Sequence, residues 1–424
     1  MTGELIDFID RSPVSFFAAA NIAKMLDENG FVRLSEAEEW KIENGGRYYC
    51  VRNDSSLIAF CVPDGKYKSI TAAAAHTDSP SFRIKPNAEM ADSYVRLDVE
   101  GYGGMIMSSW LDRPLSAAGR VMRRTENGVR SELFDLDRDS LIIPSLAIHM
   151  ERDTNKGHSY NIQKELLPLY GTARMKGGFF EEIGENEGYD LYLYNRMKGS
   201  VWGRDGEFIS APRLDDLECA FCIAKAFIDS AQTPALRVMA VFDNEEVGSA
   251  TRQGADSDFL SETLKRLNSA LGYGRETLLE AKAAGLMVSA DNAHALHPNH
   301  ADKACPSNRP LMNGGIVIKH SANRRYTTDA LSEALFRRIC ERAGVPYQFF
   351  TNRSDMPGGS TLGNISNGHF SMNCVDIGLA QLAMHSAYET AGARDAEYLY
   401  RALRELFSSA IEIKGNEYII TEDI

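Results

Sequence analysis

The hydrophobic positions of the chain form continuous runs in its two terminal parts and short alternating runs in its middle. Continuous apolar runs of strand length are typical of strands buried on both faces of a parallel sheet. They lie at 57–62, 69–75, 238–242, 286–290, 316–319 and 374–378. Apolar residues at helical spacing follow several of these strands, at 217–228, 329–343 and around Leu399, Leu403 and Leu406. The pattern predicts an α/β fold with a mixed, largely parallel sheet flanked by helices.

Two features predict how the chain begins and ends. Ser12 is placed to cap the first predicted helix, with Pro13 in its first turn and Gly30 just past its end. Near the other terminus, the segment 382–389 is expected to open the terminal helix.

The middle of the chain has a different pattern of residue types. From about residue 82 to residue 208, glycine clusters, turn residues and alternating runs such as 94–99 predict short strands. A chain of 424 residues is also long for one core. We therefore predict a discontinuous α/β domain of residues 1–81 and 209–424, interrupted by a β-rich domain of residues 82–208.

Composition, net charge and cysteine count exclude several classes of protein. Hydrophobic and charged contents of 44% and 25% are those of a soluble globular chain, and no run is long enough to span a membrane. The formal charge of −13 argues against a nucleic-acid partner. Seven cysteines, an odd number in a long chain without a signal peptide, argue against a disulfide framework and favour a reducing cytoplasm.

Candidate chemistry begins where the strand 238–242 ends, at Glu245 and Glu246. Two adjacent carboxylates repel each other unless a cation lies beside them. Ligands of open α/β sheets bind at this end of the strands, so one Glu can hold a metal ion while the other takes a proton from activated water. The alternative is an acidic loop that caps a helix.

Histidine and carboxylate side chains follow other strands at the same edge. His76 ends the strand 69–75, and Asp78, two residues on, is placed to orient its ring. Asp291 ends a further strand. Asp215 precedes the helix 217–228 and His385 follows the last strand, although Asp215 could equally be a helix cap and His76 a surface histidine. Ligands without thiolate suit zinc, cobalt or manganese, and their number fits two ions with one bridging carboxylate and one Glu left as base.

Six motifs resemble those of the aspartyl aminopeptidase family, which are two-zinc exopeptidases. They are His-Thr-Asp-Ser-Pro at 76–80, Pro-Arg-Leu-Asp-Asp at 212–216, Asp-Asn-Glu-Glu-Val-Gly-Ser at 243–249, Ser-Ala-Asp-Asn-Ala-His-Ala-Leu-His-Pro-Asn at 289–299, Asp-Met-Pro-Gly-Gly-Ser-Thr at 355–361 and Gln-Leu-Ala-Met-His-Ser at 381–386. The likeness runs from Ser12 almost to the C-terminus.

The resemblance implies roles for particular residues. It implies that Asp215 bridges two zinc ions, that His76 and Glu246 complete one site, and that Asp291 and His385 complete the other. It implies Glu245 as the general base that acts on metal-activated water.

The same likeness implies how substrate is bound and how subunits assemble. Lys319 would read an acidic substrate side chain, and Tyr326 would lie near the reacting carbonyl. The inserted domain would form dimers within a dodecameric shell, and its His149 would reach the neighbouring subunit's site. From sequence alone, His149 could equally be a buried core histidine.

These implications lead to one preferred function. We expect a cytoplasmic metallo-aminopeptidase that removes N-terminal Asp or Glu from peptides. Departures from the family pattern at Phe17, Gly358, Asn364, Ala380 and 387–389 remove no expected ligand but leave the preferred side chain open. The alternatives are an inactive oligomeric scaffold and a related two-metal deacylase or carboxypeptidase.

Overall fold

The computed structural model describes residues 1–359 and 361–421. Ser360, which falls in the glycine-rich motif at 355–361, and residues 422–424 lie outside the described part. The α-helices are α1 (Thr2–Asp10), α2 (Ser15–Glu28), α3 (Ile162–Glu165), α4 (Gly178–Ile183), α5 (Leu214–Asp229), α6 (Phe259–Ala270), α7 (Arg275–Ala284), α8 (Ala330–Ala343), α9 (Leu362–His369) and α10 (Asp395–Phe407). Within the described ranges, no helix combines the length and apolar character needed to cross a membrane.

The strands occur in both terminal parts and in the middle of the chain. They are β1 (Val32–Leu34), β2 (Arg47–Arg52), β3 (Ser56–Cys61), β4 (Ile70–His76), β5 (Ser81–Ala91), β6 (Tyr94–Tyr102), β7 (Leu115–Arg124), β8 (Val129–Asp135), β9 (Leu169–Thr172), β10 (Gly188–Asn195), β11 (Ser200–Trp202), β12 (Phe208–Ala211), β13 (Leu236–Phe242), β14 (Leu286–Ala290), β15 (Ala293–His294), β16 (Ile316–His320), β17 (Tyr347–Thr351), β18 (Asn373–Gly378), β19 (Ala380–Leu382), β20 (Glu389–Gly392), β21 (Ala410–Lys414) and β22 (Glu417–Thr421).

A nine-stranded mixed sheet forms the centre of the molecule. Its order is β1-β2-β3-β13-β4-β14-β18-β16-β17, and the four neighbours β13, β4, β14 and β18 run parallel. Alternate residues of β13 pack into separate cores, Met239 and Val241 into one and Val238 and Ala240 into the other. Helices cover both faces, so every residue of β13, β4 and β14 is buried. The predicted α/β class is confirmed.

A six-stranded antiparallel sheet takes all of its strands from the middle of the chain. Its order is β8-β7-β10-β5-β6-β9, between Ser81 and Asn195, and Phe82, Trp110 and Leu191 belong to its own core. The prediction that this part of the chain is rich in β-strands is therefore confirmed. The domain boundaries at residues 82 and 208 stay a prediction.

A five-stranded sheet brings distant segments together. Its order is β11-β12-β20-β19-β15, and Ala211 of β12 pairs with Glu389 of β20. These strands separate the segment 382–389 from the terminal helix, so the prediction that this segment opens that helix is wrong. Helix α10 begins at Asp395.

The predicted start of the first long helix is also wrong. Helix α2 begins at Ser15, and its cap position is Val14, without a side-chain hydrogen bond. The Ser12 hydroxyl accepts a hydrogen bond from Asn21 at 3.0 Å instead. Gly30 does follow the end of α2 with a φ of +77°, a conformation that favours glycine.

Candidate metal centre

Three neighbouring strands of the central sheet deliver acidic and histidine side chains to one edge. His76 is the last residue of β4, Glu245 and Glu246 follow β13 in a short 3-10 turn, and Asp291 follows β14. Because β13, β4 and β14 are parallel, their C-terminal ends meet. The sheet therefore builds the cluster at the edge where open α/β sheets bind ligands.

Asp215 and Asp216 enter this edge from the start of α5. Their backbone angles are not helical, and the two carboxylate oxygens of Asp215 face the rings of His76 and His385, not the backbone N–H groups of α5. Both carboxylates are buried. The helix-cap alternative for Asp215 is therefore wrong.

Asp215 lies between two histidines. Its Oδ1 is 3.6 Å from Nε2 of His76, and its Oδ2 is 3.5 Å from Nε2 of His385. Nε2 of His385 is also 3.4 Å from Oε2 of Glu246. One carboxylate thus faces two separate clusters of ligand atoms.

Three groups of side chains bring their ligand atoms within 4.8 Å of one another. They are His76, Asp215, Asp216 and Asp291; His76, Glu245 and Glu246; and Asp215, Glu246 and His385. Among the described residues, Asp291 therefore groups with His76 and not with His385. This arrangement differs from the pairing that the family resemblance implies.

The electrostatics of the cluster fit a divalent cation. Asp215, Asp216 and Glu246 each have one buried carboxylate oxygen without a hydrogen-bond partner in the described structure. Burial raises the pKa of Glu245 to about 8, and burial together with the charge of Asp215 raises the pKa of Glu246. Buried carboxylates without partners are costly, and a bound cation would remove that cost. The donor set therefore fits the zinc ions that the sequence led us to expect.

Asp215 differs from its neighbours in its protonation. Burial alone would raise the pKa of Asp215, but the interactions of its carboxylate with His385 and His76 outweigh burial and bring this pKa below its ordinary value. The pKa of Asp215 is therefore shifted in the opposite direction from the pKa values of Glu245 and Glu246.

Asp78 orients both His76 and the Glu245–Glu246 turn. Its backbone carbonyl lies 3.0 Å from Nδ1 of His76, and its Oδ1 lies 3.4 Å from the same nitrogen. Its carboxylate accepts the backbone N–H groups of Glu245 and Glu246, each at 3.1 Å. A contact to Nδ1 leaves Nε2 of His76 to face Asp215. His76 itself is 1% exposed, so the surface-histidine alternative is wrong.

Lys319 and Tyr326 lie on the Asp291 side of the cluster. The Lys319 ammonium is 3.6 Å from Oδ1 of Asp291 and 5.4 Å from the centre of the Tyr326 ring. Burial lowers the pKa of Lys319, but Asp291, Tyr326, Asp376 and Asp215 together outweigh burial, and the pKa lies above its ordinary value. Both residues are buried. Lys319 is thus a fixed cation beside a candidate ligand.

His149 lies far from a core environment. It is exposed, as are Leu146, Ile148 and Met150 around it. The alternative of a buried core histidine is therefore wrong for this chain, and His149 stands on an apolar exposed segment of the middle part.

Sequence reasoning missed three groups that shape the site. Glu389 is buried and accepts the backbone N–H groups of Asp215 at 3.0 Å and His385 at 2.7 Å. Asp216 accepts the backbone N–H of His76 at 3.2 Å, and the carbonyl of Gly104 lies 2.7 Å from Nδ1 of His385. The Asp-Asp doublet was a visible signal for Asp216. The sequence carried no signal for Glu389 or Gly104, because only strand pairing and contacts between distant segments bring them to the site.

Comparison with known proteins agrees with this geometry. Residues 8–407 match the family described as aminopeptidase I zinc metalloprotease, M18. The chain is 44% identical to the probable M18 family aminopeptidase 2 of Clostridium acetobutylicum, over 96% of this chain and 98% of that protein.

Solved structures show the same fold. A chain of the cryo-EM structure of the Ape4 and Nbr1 complex superposes with a TM-score of 0.92 at 35% identity, covering 96% of this chain and 85% of that one. The mApe1 dodecamer of S. cerevisiae gives a TM-score of 0.84 at 26% identity, with 96% of each chain covered. With this length of match and a buried cluster of His and carboxylate ligands, the chain belongs to the M18 family of zinc metallo-aminopeptidases.

Proposed function

We propose that this protein removes N-terminal residues from peptides, with Asp or Glu preferred, in a reaction that depends on two divalent cations. The observation that carries the proposal is the position of Asp215, whose two carboxylate oxygens face His76 and His385 separately. A carboxylate in that position suits a bridge between two ions.

Each ion would be held by its own residues in addition to the bridge. His76 and Asp291 would hold one, and His385 and Glu246 the other. Zinc is the expected metal, with cobalt or manganese as further metals that nitrogen and oxygen ligands accept. Bound divalent cations polarise a substrate carbonyl and make water a stronger acid.

Glu245 has the position of a general base. Its carboxylate lies within 4.8 Å of ligand atoms of His76 and Glu246, and Glu245 directly precedes the proposed ligand Glu246 in the same turn. Burial raises its pKa to about 8 in the absence of cations, and positive charge nearby would favour its carboxylate form. Glu245 would accept the proton of the attacking water and return it to the leaving amine.

Substrate binding is assigned to three further residues. Lys319 would attract the acidic side chain of the first residue, because it is a desolvated cation at the edge of the cluster. Tyr326, under the Lys319 ammonium, would lie near the reacting carbonyl. His149 would reach the site of a neighbouring subunit from its exposed segment.

A homo-oligomer, with a dimer as its unit and a dodecamer as its full form, is part of the proposal. The superposed mApe1 structure is a dodecamer, and Leu146, Ile148 and Met150 expose apolar surface suited to a subunit interface. A cytoplasmic location is also proposed, since all seven cysteines are free.

The function is tested by the release of N-terminal residues from Asp-, Glu-, Leu- and Lys-anilides, with and without a chelator. The proposal expects fastest release from Asp and Glu, loss of activity on chelation and recovery with zinc. Hydrolysis of blocked or C-terminal substrates alone would assign a deacylase or carboxypeptidase. Absence of hydrolysis in the zinc-loaded protein would assign a scaffold.

A further inference from the structure

Tyr102 is the last residue of β6 in the six-stranded sheet, and its side chain reaches the turn that carries Glu245 and Glu246. The Tyr102 hydroxyl donates to Oδ2 of Asp78 at 2.7 Å and accepts from Nδ2 of Asn244 at 2.8 Å. Asn244 immediately precedes Glu245. The hydroxyl therefore joins the two ends of one hydrogen-bonded network around this turn.

The direction of these hydrogen bonds is set by Asn244. Its Oδ1 already accepts from Thr251 and Gln253, each at 2.8 Å, so its Nδ2 is the group that faces Tyr102 as a donor. The Tyr102 hydroxyl must then be the donor in its hydrogen bond to Asp78. Burial and the charges of Asp78 and Asp243 raise the pKa of Tyr102, so the hydroxyl keeps that proton.

Asp78 links Tyr102 to the backbone of Glu245 and Glu246. Each of their backbone N–H groups donates to the Asp78 carboxylate at 3.1 Å, and Asp78 is 4% exposed. A carboxylate with a third fixed donor has less freedom to rotate away from those N–H groups. The position of the turn thus depends on a side chain from a different sheet.

The residues after Tyr102 also contact the centre. A Cβ atom on Gly103, whose φ is +74°, would lie 3.1 Å from Cβ of Glu246. The carbonyl of Gly104 contacts Nδ1 of His385. The end of β6 therefore forms one wall of the candidate metal centre.

We propose that Tyr102 is a positioning residue that acts through Asp78 to fix the Glu245–Glu246 turn, and hence the aim of the base and of one metal ligand. The proposal rests on the proposed function for its catalytic consequence. It gives the six-stranded sheet a part in each subunit's own active centre, in addition to any part in assembly.

The test compares Tyr102→Phe with Tyr192→Phe in the zinc-loaded, full-length protein. The Tyr192 ring stacks edge-on against Tyr102 at 5.4 Å, and in the described structure its hydroxyl makes no hydrogen bond to the network, so it is a matched control. We expect kcat of Tyr102→Phe to fall by about 10- to 100-fold, the usual effect of losing an outer-sphere partner, with KM nearly unchanged. Unchanged kcat, or equal losses in both variants, would overturn the proposal.

A double-mutant cycle shows whether Tyr102 acts through Asp78. In the Asp78→Asn background, adding Tyr102→Phe should lower kcat by less than about 3-fold, because residues in one network are not additive. Full additivity would overturn the mechanism.

Zinc affinity separates this proposal from the proposed function. If the wild type hydrolyses no peptide, the proposed function fails. Competition with a chelator then decides the role of Tyr102. We expect zinc affinity to be about 10-fold weaker in Tyr102→Phe than in the wild type, and unchanged in Tyr192→Phe. Equal affinity in both would overturn the positioning role.

Discussion

The ammonium group of Lys319 lies 3.6 Å from Oδ1 of Asp291, and the Lys319 side chain is 3% exposed. In a chain with a formal charge of −13, this desolvated cation is held at the candidate metal centre by a carboxylate that is itself a candidate ligand. The pair therefore links the proposed metal site to the proposed side-chain preference.

Replacing Lys319 tests that link. Lys319→Met should cost about 2–5 kcal/mol in kcat/KM for Asp- and Glu-anilides, the scale of losing a buried charge partner, and much less for Leu-anilide. Lys303→Ala, a change to an exposed lysine, should leave the ratio of acidic to neutral substrates unchanged. Equal losses for all substrates would show that Lys319 serves Asp291 alone.

Glu245→Gln tests the base. The substitution keeps size and removes basicity, so turnover should fall by about 10²- to 10⁴-fold while both zinc ions stay bound. Metal content by elemental analysis and single-turnover rates provide the measurement. Because Glu245 also groups with His76 and Glu246, loss of one zinc equivalent would identify it as a ligand instead.

Asp215→Asn should affect both ions. Its two carboxylate oxygens face different histidines, so removing the charge weakens both sites, whereas Asp291→Asn should weaken mainly the site that includes His76. Calorimetric titration of the metal-free protein with zinc gives the two affinities. Two undiminished binding steps in Asp215→Asn would refute a bridge.

Mixing two inactive variants tests the role of His149. If His149 completes a neighbouring subunit's site, Glu245→Gln mixed with His149→Ala should regain activity after subunit exchange, because one site per mixed dimer has both residues. Activity of the wild type should also fall on dilution below the dimer dissociation constant. Verified exchange without recovery would confine His149 to its own subunit.

Cys305 should be the fastest-reacting cysteine. Hydrogen bonds from Thr351 and Ser307 lower the pKa of Cys305 to about 6, whereas the six other cysteines are buried. The thiolate is the reactive form, so iodoacetamide labelling should rise as pH increases through about 6 and level off above it. Thr351→Val should move this midpoint to higher pH, and Cys305→Ser should abolish the fast phase seen by mass spectrometry.

The sequence by itself determined the local elements and most of the ligand types. Continuous apolar runs can be buried only when both faces of a strand are covered, so they identified β4, β13, β14 and β18. Polar residues directly after parallel strands lie at the same edge of a sheet, so His76, Glu245, Glu246 and Asp291 could be assigned to one edge from the sequence. The local pattern did not determine where the first long helix begins. The predicted Ser12 cap failed because the Ser12 hydroxyl bonds with Asn21, a preference that local pattern does not contain.

Tertiary structure alone decided how those ligands are grouped and supported. Whether His76 groups with Asp291 depends on the order of strands β13, β4 and β14 in the sheet, and sequence order does not specify that neighbourhood. Glu389 reaches Asp215 because β20 pairs with β12, and Tyr102 reaches Asp78 because two sheets meet at this edge. Such contacts join residues far apart in the chain, and only the folded packing of the sheets brings their side chains within hydrogen-bonding distance.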